Sequence, residues 1–422
     1  MSFKNIGLKE PILKALQQKG YKNPTPIQEL GISSIMKNKD VMAAAQTGTG
    51  KTACFTLPIL EILSNRKENK KSHELNALIV TPTRELAAQV HDNIKSYGKY
   101  LSLKSIAIYG GVSDLNQKLA IKKGIDIMVA TPGRLLDLYH QKAINFSKIK
   151  ILVLDEADQM LDMGFINDIK KIDKYLPKER QNLMFTATFS DPFRSLVKQF
   201  SNDPIEISVS KDNETGKNIE HYCHPVDASN KAKLLIHLIK NEKWNQALVF
   251  TRTKHGANRL TKKLINAKIT AVAIHSNKTQ NYRTKALNKF KKNHIQILVA
   301  TDVAARGIDI KNMNQVVNFD LPSVAKDYIH RIGRTGRAGK SGKAISFVCS
   351  DQQKLLRDIQ HLLNQKLPMY NVEGFEPTND MQPIKKSKKK KKFISRIYGK
   401  DYYSEKKVSQ TKSVSAMPKI LK

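Results

Sequence analysis

Residues 45–52 read AQTGTGKT, directly after the apolar run Val41–Ala45 and before a stretch able to form a helix. Small residues and two glycines let backbone N–H groups curl round a phosphate at a helix N-terminus, where free amides and the dipole favour an anion. In such a loop Lys51 reaches the β- and γ-phosphates of a nucleotide, and Thr52 offers its hydroxyl to Mg2+. The strict pattern wants Gly where Ala45 stands, so an ordinary Gly-rich turn stays open as a reading. A second signal narrows the choice. Asp155, Glu156, Ala157 and Asp158 follow the wholly apolar run Ile151–Leu154. A carboxylate there can hold the cation that Thr52 brings, and Glu156 can orient or deprotonate an attacking water. Taken alone, the same residues are also favourable helix N-terminal charges.

Residues 330–339 read HRIGRTGRAG, with Arg331, Arg334 and Arg337 among small residues. Guanidinium forks match phosphate oxygens, so arginines facing a phosphate loop would act as fingers once the two halves close. The alternative is a solvated basic loop. Upstream, Thr25, Pro26 and Gln28 form a capping box with proline at the first helical position. Gln28's amide also matches adenine's donor and acceptor edge. Thr83-Arg84, Thr131–Arg134 and Arg306–Asp309 each follow an apolar run. Loops of Thr, Gly and Arg suit a sugar-phosphate backbone held without reading bases, though Thr83–Glu85 and Thr131-Pro132 read equally as helix N-termini.

These residues need strands that end at them. Short β-branched runs without period-two polarity alternate with amphipathic stretches, the pattern of a parallel sheet buried on both faces. The first set comprises residues 41–45, 78–81, 127–130, 151–154 and 183–185; the second comprises 248–251, 271–274, 295–300, 316–319 and 344–348. Ligands of open parallel sheets sit beyond the carboxyl ends of the strands, where these loops fall. Residues 210–218 (SKDNETGKN) carry no apolar side chain and read as a linker. IMVATPGR, ending at Arg134, echoes ILVATDVAARG, ending at Gly307, and suggests two α/β domains of related plan. The expected organisation is an ATP-binding domain at 1–208, a linker at 209–218, a second domain at 219–370 and a basic tail at 371–422.

Charge names the partner class. The 422 residues carry 73 Lys+Arg against 37 Asp+Glu, a formal +36, which draws a polyanion such as nucleic acid whatever the fold, with a membrane surface as the competing polyanion. At 40% apolar residues the chain can bury two or three cores, which excludes wholesale disorder. From Pro383 the tail has 14 Lys+Arg against Asp401 and Glu405; the run KKSKKKKK repels itself and predicts a disordered tether for phosphates. A solubility tail and a localisation signal are the other readings. Tyr398, Tyr402 and Tyr403 could stack on bases. No apolar run approaches the roughly 18 residues of a membrane span, and residues 1–10 lack a signal-peptide core, so the expectation is a soluble, unexported, cytoplasmic protein. Cys54, Cys223 and Cys349 are assigned to cores in a reducing compartment.

With these motifs in order, residues 1–365 resemble a DEAD-box ATP-dependent RNA helicase, most similar to the bacterial RhlE-like branch in MSF, AQTGTGKTACFTLP and DEADQMLDMGF. The resemblance implies two RecA-like domains, with parallel sheets flanked by helices, binding ATP, Mg2+ and RNA across their cleft. It implies that Phe3 stacks on adenine and Gln28 reads it. Thr47, Gly48, Thr49, Gly50, Lys51 and Thr52 then hold phosphates, Asp309 the ribose, and Asp155 with Thr52 the Mg2+. Glu156 activates water, and Arg334 and Arg337 are the fingers. On RNA it places Thr83, Arg84, Gly111, Thr131, Gly133 and Arg134 from the first half, and Thr253, Gln280, Arg283 and Thr301 from the second. Asp158, Thr186, Thr188 and His330 would couple the two ligands. Two departures stand out: Thr186-Ala187-Thr188 replaces the usual Ser-Ala-Thr, with altered coupling as the consequence, and Ser276 follows His275 where many members have Gly. The implied activity is local, non-processive unwinding of short RNA duplexes by RNA-stimulated ATP hydrolysis, in ribosome assembly or RNA turnover, with ribosomal precursors or RNA-decay complexes as partners and no membrane. An ATP-gated RNA clamp or annealing scaffold is the rival, and a DNA translocase a third reading.

Overall fold

The computed structural model describes residues 2–45, 48–67, 73–187, 189–201, 203–209, 219–305, 307–308, 310, 313–336 and 342–378. Helices α1 (Glu10–Gln18) and α2 (Pro26–Met36) precede an alternation of strand and helix. It runs β1 (Val41–Ala44), α3 (Lys51–Lys67), β2 (Ala77–Val80), α4 (Arg84–Tyr97), β3 (Ser105–Ile108), α5 (Asp114–Lys122), β4 (Ile127–Ala130), α6 (Pro132–His140), β5 (Ile151–Leu154), α7 (Ala157–Asp162), α8 (Ile166–Tyr175), β6 (Gln181–Thr186), α9 (Asp191–Phe200) and β7 (Ile205–Ser208). After the linker, whose residues 210–218 lie outside those described, it resumes. Here come β8 (Ile219–Pro225), α10 (Lys231–Asn241), β9 (Ala247–Phe250), α11 (Lys254–Asn266), β10 (Ala271–Ile274), α12 (Gln280–Lys291), β11 (Ile297–Ala300), α13 (Asp302–Ala305), β12 (Gln315–Asn318), α14 (Ala325–Ile332), β13 (Gly342–Val348) and α15 (Gln353–Leu363).

Runs such as Val41–Ala44, Ile127–Ala130 and Ile151–Leu154 are buried along their whole length, as strands are in a sheet covered on both faces. Ile79, Val153 and Phe185 point into one core of the first sheet; their neighbours Leu78, Leu152 and Met184 point into the other. Each such buried side chain contributes about 1.5–3 kcal/mol. All pairings are parallel, in the order β3-β4-β2-β5-β6-β1-β7 in one sheet and β10-β11-β9-β12-β13-β8 in the other. Replacing β1 to β6 by β8 to β13 turns the first order, without β7, into the second. The two lobes therefore share one plan, and the sequence echo falls on β4 and β11, which hold the same place in each sheet.

The apolar runs do not announce β3, β7 and β8. All three lie at sheet edges, where β3 and β7 are partly open to water and mix polar with apolar residues. The free edge of β8 is covered by returning chain: Cys223 N–H donates to Pro368 O (2.8 Å) and Tyr370 N–H to Cys223 O (2.9 Å). The cover corrects the expected tail boundary at residue 371. Val372 and Phe375 pack against the second lobe's core, and Met1–Pro377 forms one compact unit. The tail's lysine run lies outside the described residues. Cys54, Cys223 and Cys349 are free and buried. Among the described residues no helix is long and apolar enough to cross a membrane.

Candidate nucleotide and nucleic-acid site

The phosphate loop joins β1 to α3. Gly48 (φ 97°) and Gly50 (φ 98°) adopt backbone conformations open to glycine, and Gln46 and Thr47 lie outside the described residues. Lys51 heads α3 and is buried; its Nζ donates to Ala45 O (2.6 Å) and Thr186 O (3.1 Å), which fixes the ammonium at the ends of β1 and β6. Helix α2 lies along the same loop. Thr25 Oγ1 donates to Thr49 O (2.8 Å), Gln28 Nε2 donates to Gly50 O (3.2 Å), and Gln28 Oε1 accepts from Thr25 N (3.0 Å). One turn on, Gly31 leaves room for Cys54 Sγ, which would lie 2.2 Å from a Cβ there. The capping-box reading of Thr25 and Gln28 is seen directly. Reading adenine would require Gln28 to exchange bonds it already makes within the chain. Phe3 departs from its expected place: its ring is buried in the core that also holds Leu8, Ile12 and Leu16, because an apolar side chain before α1 gains more from that cluster than from a polar cleft. The exposed aromatic beside Gln28 is Tyr21, which lines the cleft.

Asp155 and Glu156 follow β5 and are buried. Burial pushes both carboxyls above their ordinary range. For Glu156 the neighbouring Asp155 adds to the rise, while Lys51 and then Arg334 oppose it; for Asp155 it is Lys51 that opposes. Among the described residues, Asp155 Oδ1 and Glu156 Oε2 are buried without a hydrogen-bond partner, a costly state for a carboxylate oxygen and one that a cation or water would relieve. Glu156 also sits in the left-handed region (φ 54°, ψ 48°) at the start of α7, a conformation costing a non-glycine residue roughly 1–2 kcal/mol. Asp158, two residues on, accepts from Ala187 N–H (3.0 Å) and so ties this motif to the loop after β6. Thr186 is fully buried, and Thr188 lies outside the described residues.

The second lobe closes this cleft, whose volume is about 600 Å3. Arg334 reaches it, buried, with its guanidinium donating to Ile308 O (2.7 Å). Arg331 does not. Its guanidinium donates two parallel hydrogen bonds to the Asp302 carboxylate (2.5 and 2.7 Å), donates to Asn318 Oδ1 and Asp320 O, and lies over the Phe250 ring. The loop's first arginine is thus an internal strut, since α14 turns it toward the sheet. His330 lines a small recess with Asp302 and Arg334. Arg337 and Asp309 lie outside the described residues.

The residues expected on RNA stand at the carboxyl ends of strands in both lobes. Thr83 and Thr253 cap α4 and α11, accepting from Leu86 N (3.3 Å) and Gly256 N (3.0 Å). A Cβ on Gly111 would lie 2.0 Å from an Arg84 guanidinium nitrogen, so Arg84 crosses that glycine closely. Arg134 leans on Gln117 Oε1 (3.4 Å), Thr131 precedes α6, and nothing lies within 4 Å of a Cβ on Gly133. Thr301 follows β11. Gln280 and Arg283 differ from expectation: both are buried, and both bind Glu85 of the first lobe, Gln280 Nε2 donating at 2.8 Å and Arg283 pairing at 3.1 Å. A buried guanidinium needs a carboxylate, and α4 supplies one. A Cβ on Gly307 would lie 1.8 Å from Thr83 Oγ1, a second close approach between lobes. Glu85 is the residue that sequence reasoning missed, because an acid in a helix's first turn already has a local reason to be there.

Two family models match the chain: DEAD/DEAH box helicase over residues 25–196, and helicase conserved C-terminal domain over residues 230–339. The chain is 40% identical over 385 residues to the DEAD-box ATP-dependent RNA helicase RhpA of Helicobacter pylori, covering 91% of this chain and 76% of that protein. It is also 40% identical over 381 residues to the ATP-dependent RNA helicase DbpA of Bacillus subtilis, covering 90% and 78%. Among solved structures, S. cerevisiae Dbp5 bound to RNA and ADP BeF3 matches with a TM-score of 0.78 at 32% identity, over 90% of this chain and 96% of that one. The DEAD-box helicase Mss116 bound to ssRNA and UDP-BeF matches with a TM-score of 0.79 at 30% identity, over 88% and 79%.

Proposed function

The chain belongs to the DEAD-box ATP-dependent RNA helicase family, an RNA-binding and ATP-hydrolysing one, and from that premise we propose how its own residues divide the work. Tyr21 lies flat on adenine while Gln28 turns its amide from Gly50 to the base edge. The loop from Gly48 to Thr52 receives the phosphates, and Lys51 exchanges the carbonyls of Ala45 and Thr186 for phosphate oxygens. Asp155 Oδ1 and Thr52 would hold Mg2+, a fit supported by the orphaned buried oxygens. When bound, the ion neutralises charge between the phosphates. Glu156 orients the attacking water and takes its proton, and Arg334, with Arg337, faces the charge that builds on the transferred phosphoryl group.

Across the cleft, Glu85 ties Gln280 and Arg283 to the helix capped by Thr83, so lobe closure and the RNA-facing loops move together. Closure bends a bound strand and releases its partner over a short stretch, and hydrolysis reopens the cleft. Contacts to sugar and phosphate imply little sequence preference. Placement in the RhlE-like branch, and a role in ribosome assembly or RNA turnover, extend this reading. The observation that carries it is one cleft holding Lys51, Asp155 and Glu156 from one lobe and Arg334 from the other. The test is the ATPase rate without nucleic acid, with single-stranded RNA and with matched DNA, each at two salt concentrations. Strong stimulation by RNA alone is expected. Equal stimulation by DNA would replace the reading with a translocase, and no stimulation would replace it with a clamp.

A further inference from the structure

Outside the terminal lysine run, positive charge is concentrated in one part of the folded body. Residues 243–301 contain 13 Lys+Arg and no Asp or Glu, whereas residues 1–208 contain 30 against 21. The acid-free stretch spans β9, α11, β10, α12 and β11, the half of the second sheet that ends at edge strand β10. On α12 and its cap, Tyr282, Lys285, Lys289 and Lys292 are exposed. Their spacings of three, four and three place them within roughly 80° of one another around the helix. The adjoining side buries Ala286 and Phe290. On α11, Arg259, Lys262 and Lys263 are likewise exposed over buried Ala257, Leu260 and Leu264.

The two stripes meet at one end, where Ile265 in the last turn of α11 and Lys268 just beyond it line a single recess with Lys289 and His294. At their other ends the same helices begin at Thr253 and Gln280, residues of the expected RNA path. Lys262, Lys263, Lys285, Lys289 and Lys292 make no ion pair among the described residues. Elsewhere charges alternate: α8, for example, sets Asp168 and Asp173 among its lysines.

We propose that this face binds the sugar-phosphate backbone of RNA flanking the strand held at the cleft, an inference that rests on the RNA-helicase reading above. Thirteen residues of α11 extend about 20 Å, enough to carry a backbone away from the cleft edge. One sign of charge without interspersed acids suits repeated phosphates. A protein partner would call for apolar anchors at the centre of the patch, whereas the large exposed apolar side chains of this stretch's helices, Ile265 in the last turn of α11 and Tyr282 in the first turn of α12, stand at opposite ends of the face.

The test is a full-length variant carrying Lys262→Gln, Lys263→Gln, Lys289→Gln and Lys292→Gln. Its affinity is measured over a salt series for a single strand of about ten nucleotides and for that strand joined to a duplex of about twenty base pairs. The flanked RNA should bind about tenfold or more weakly, with the salt slope reduced by about 3, while the short strand and its stimulation of the ATPase stay within about twofold of the parent. Unchanged affinity for flanked RNA, as expected if the face serves an acidic protein instead, would overturn the proposal. So would an equal loss on both RNAs, which would assign these lysines to the cleft. Failure of the short strand to stimulate the parent's ATPase would instead remove the helicase reading itself.

Discussion

The two lobes share one strand order, yet they treat the same lysine position in opposite ways. After β1 the chain reaches Lys51 at the head of α3; after β8 it reaches Lys231 at the head of α10. Both are buried and both reach the ends of neighbouring strands. Lys51 Nζ meets two backbone carbonyls and lies near Asp155 and Glu156, each with one carboxylate oxygen unpartnered among the described residues. Lys231 Nζ meets Phe319 O (2.8 Å), Gln352 Oε1 (3.0 Å) and Asp320 (3.6 Å), the last standing after β12 as Asp155 stands after β5. Glycines at 48 and 50 open the first loop, while residues 226–230 read VDASN. The same framework thus gives an ammonium ready to exchange carbonyls for phosphate, and one already neutralised. A fold supplies the position of a cation; the residues around it decide whether a ligand is needed.

The largest effect should come from breaking that contrast at its root. Lys51→Ala removes the exchangeable charge and should lower kcat/KM for ATP by about 10²- to 10³-fold with a small change in melting temperature. Lys231→Met should do the reverse, costing about 2 kcal/mol of stability while leaving KM for ATP unaltered, because its partners are internal and Asp320 keeps some solvent. Steady-state ATPase and thermal melts on the two variants check this. A raised KM in Lys231→Met would show that the second lobe's lysine is felt at the nucleotide.

Next in size is the link between lobes. Glu85→Ala leaves the buried Arg283 without its carboxylate and Gln280 without an acceptor. A hydrogen bond to a charged group contributes about 1.5–3 kcal/mol, so RNA-stimulated turnover should fall by about tenfold or more. Nucleotide binding without RNA should stay unchanged, since Glu85 is on α4 and not in the phosphate loop. Equal losses with and without RNA would mean that Glu85 supports the first lobe alone.

Much of this was legible in the residues, for physical reasons that also explain what was not. Strands buried on both faces, such as Ile151–Leu154, leave an uninterrupted apolar run, and a phosphate loop leaves glycines beside a Lys-Thr pair. Edge strands have one open side, so Ser105–Ile108 and Ile205–Ser208 leave little trace. Arg331 and Arg334 look alike in HRIGRTGR, and only the turn of α14 sends one to Asp302 and the other to the cleft. Phe3 and Tyr21 are both aromatics before Gln28, and burial separates them. Glu85 was hidden because its partners lie 195 and 198 positions away in sequence, a relation that only the closed arrangement of lobes reveals.

The smallest effect gives the finest comparison. Each lobe repeats a Thr-X-Thr turn after its second strand: Thr81 Oγ1 donates to Thr83 O (3.3 Å) and Thr251 Oγ1 to Thr253 O (3.4 Å), and the second threonine of each pair caps a helix. Replacing either cap by valine keeps the shape and removes the acceptor, which should cost about 1 kcal/mol. The two should then diverge. Thr83 is buried and faces Gly307 across the lobes, so Thr83→Val should also weaken RNA-stimulated turnover. Thr253 is exposed at the start of α11, so Thr253→Val should lower RNA affinity without changing the maximal rate at saturating RNA. Titrating each variant with single-stranded RNA separates affinity from maximal rate. If Thr253→Val leaves RNA affinity untouched, that threonine is a cap alone, and the second lobe holds RNA through other groups than the repeated plan suggests.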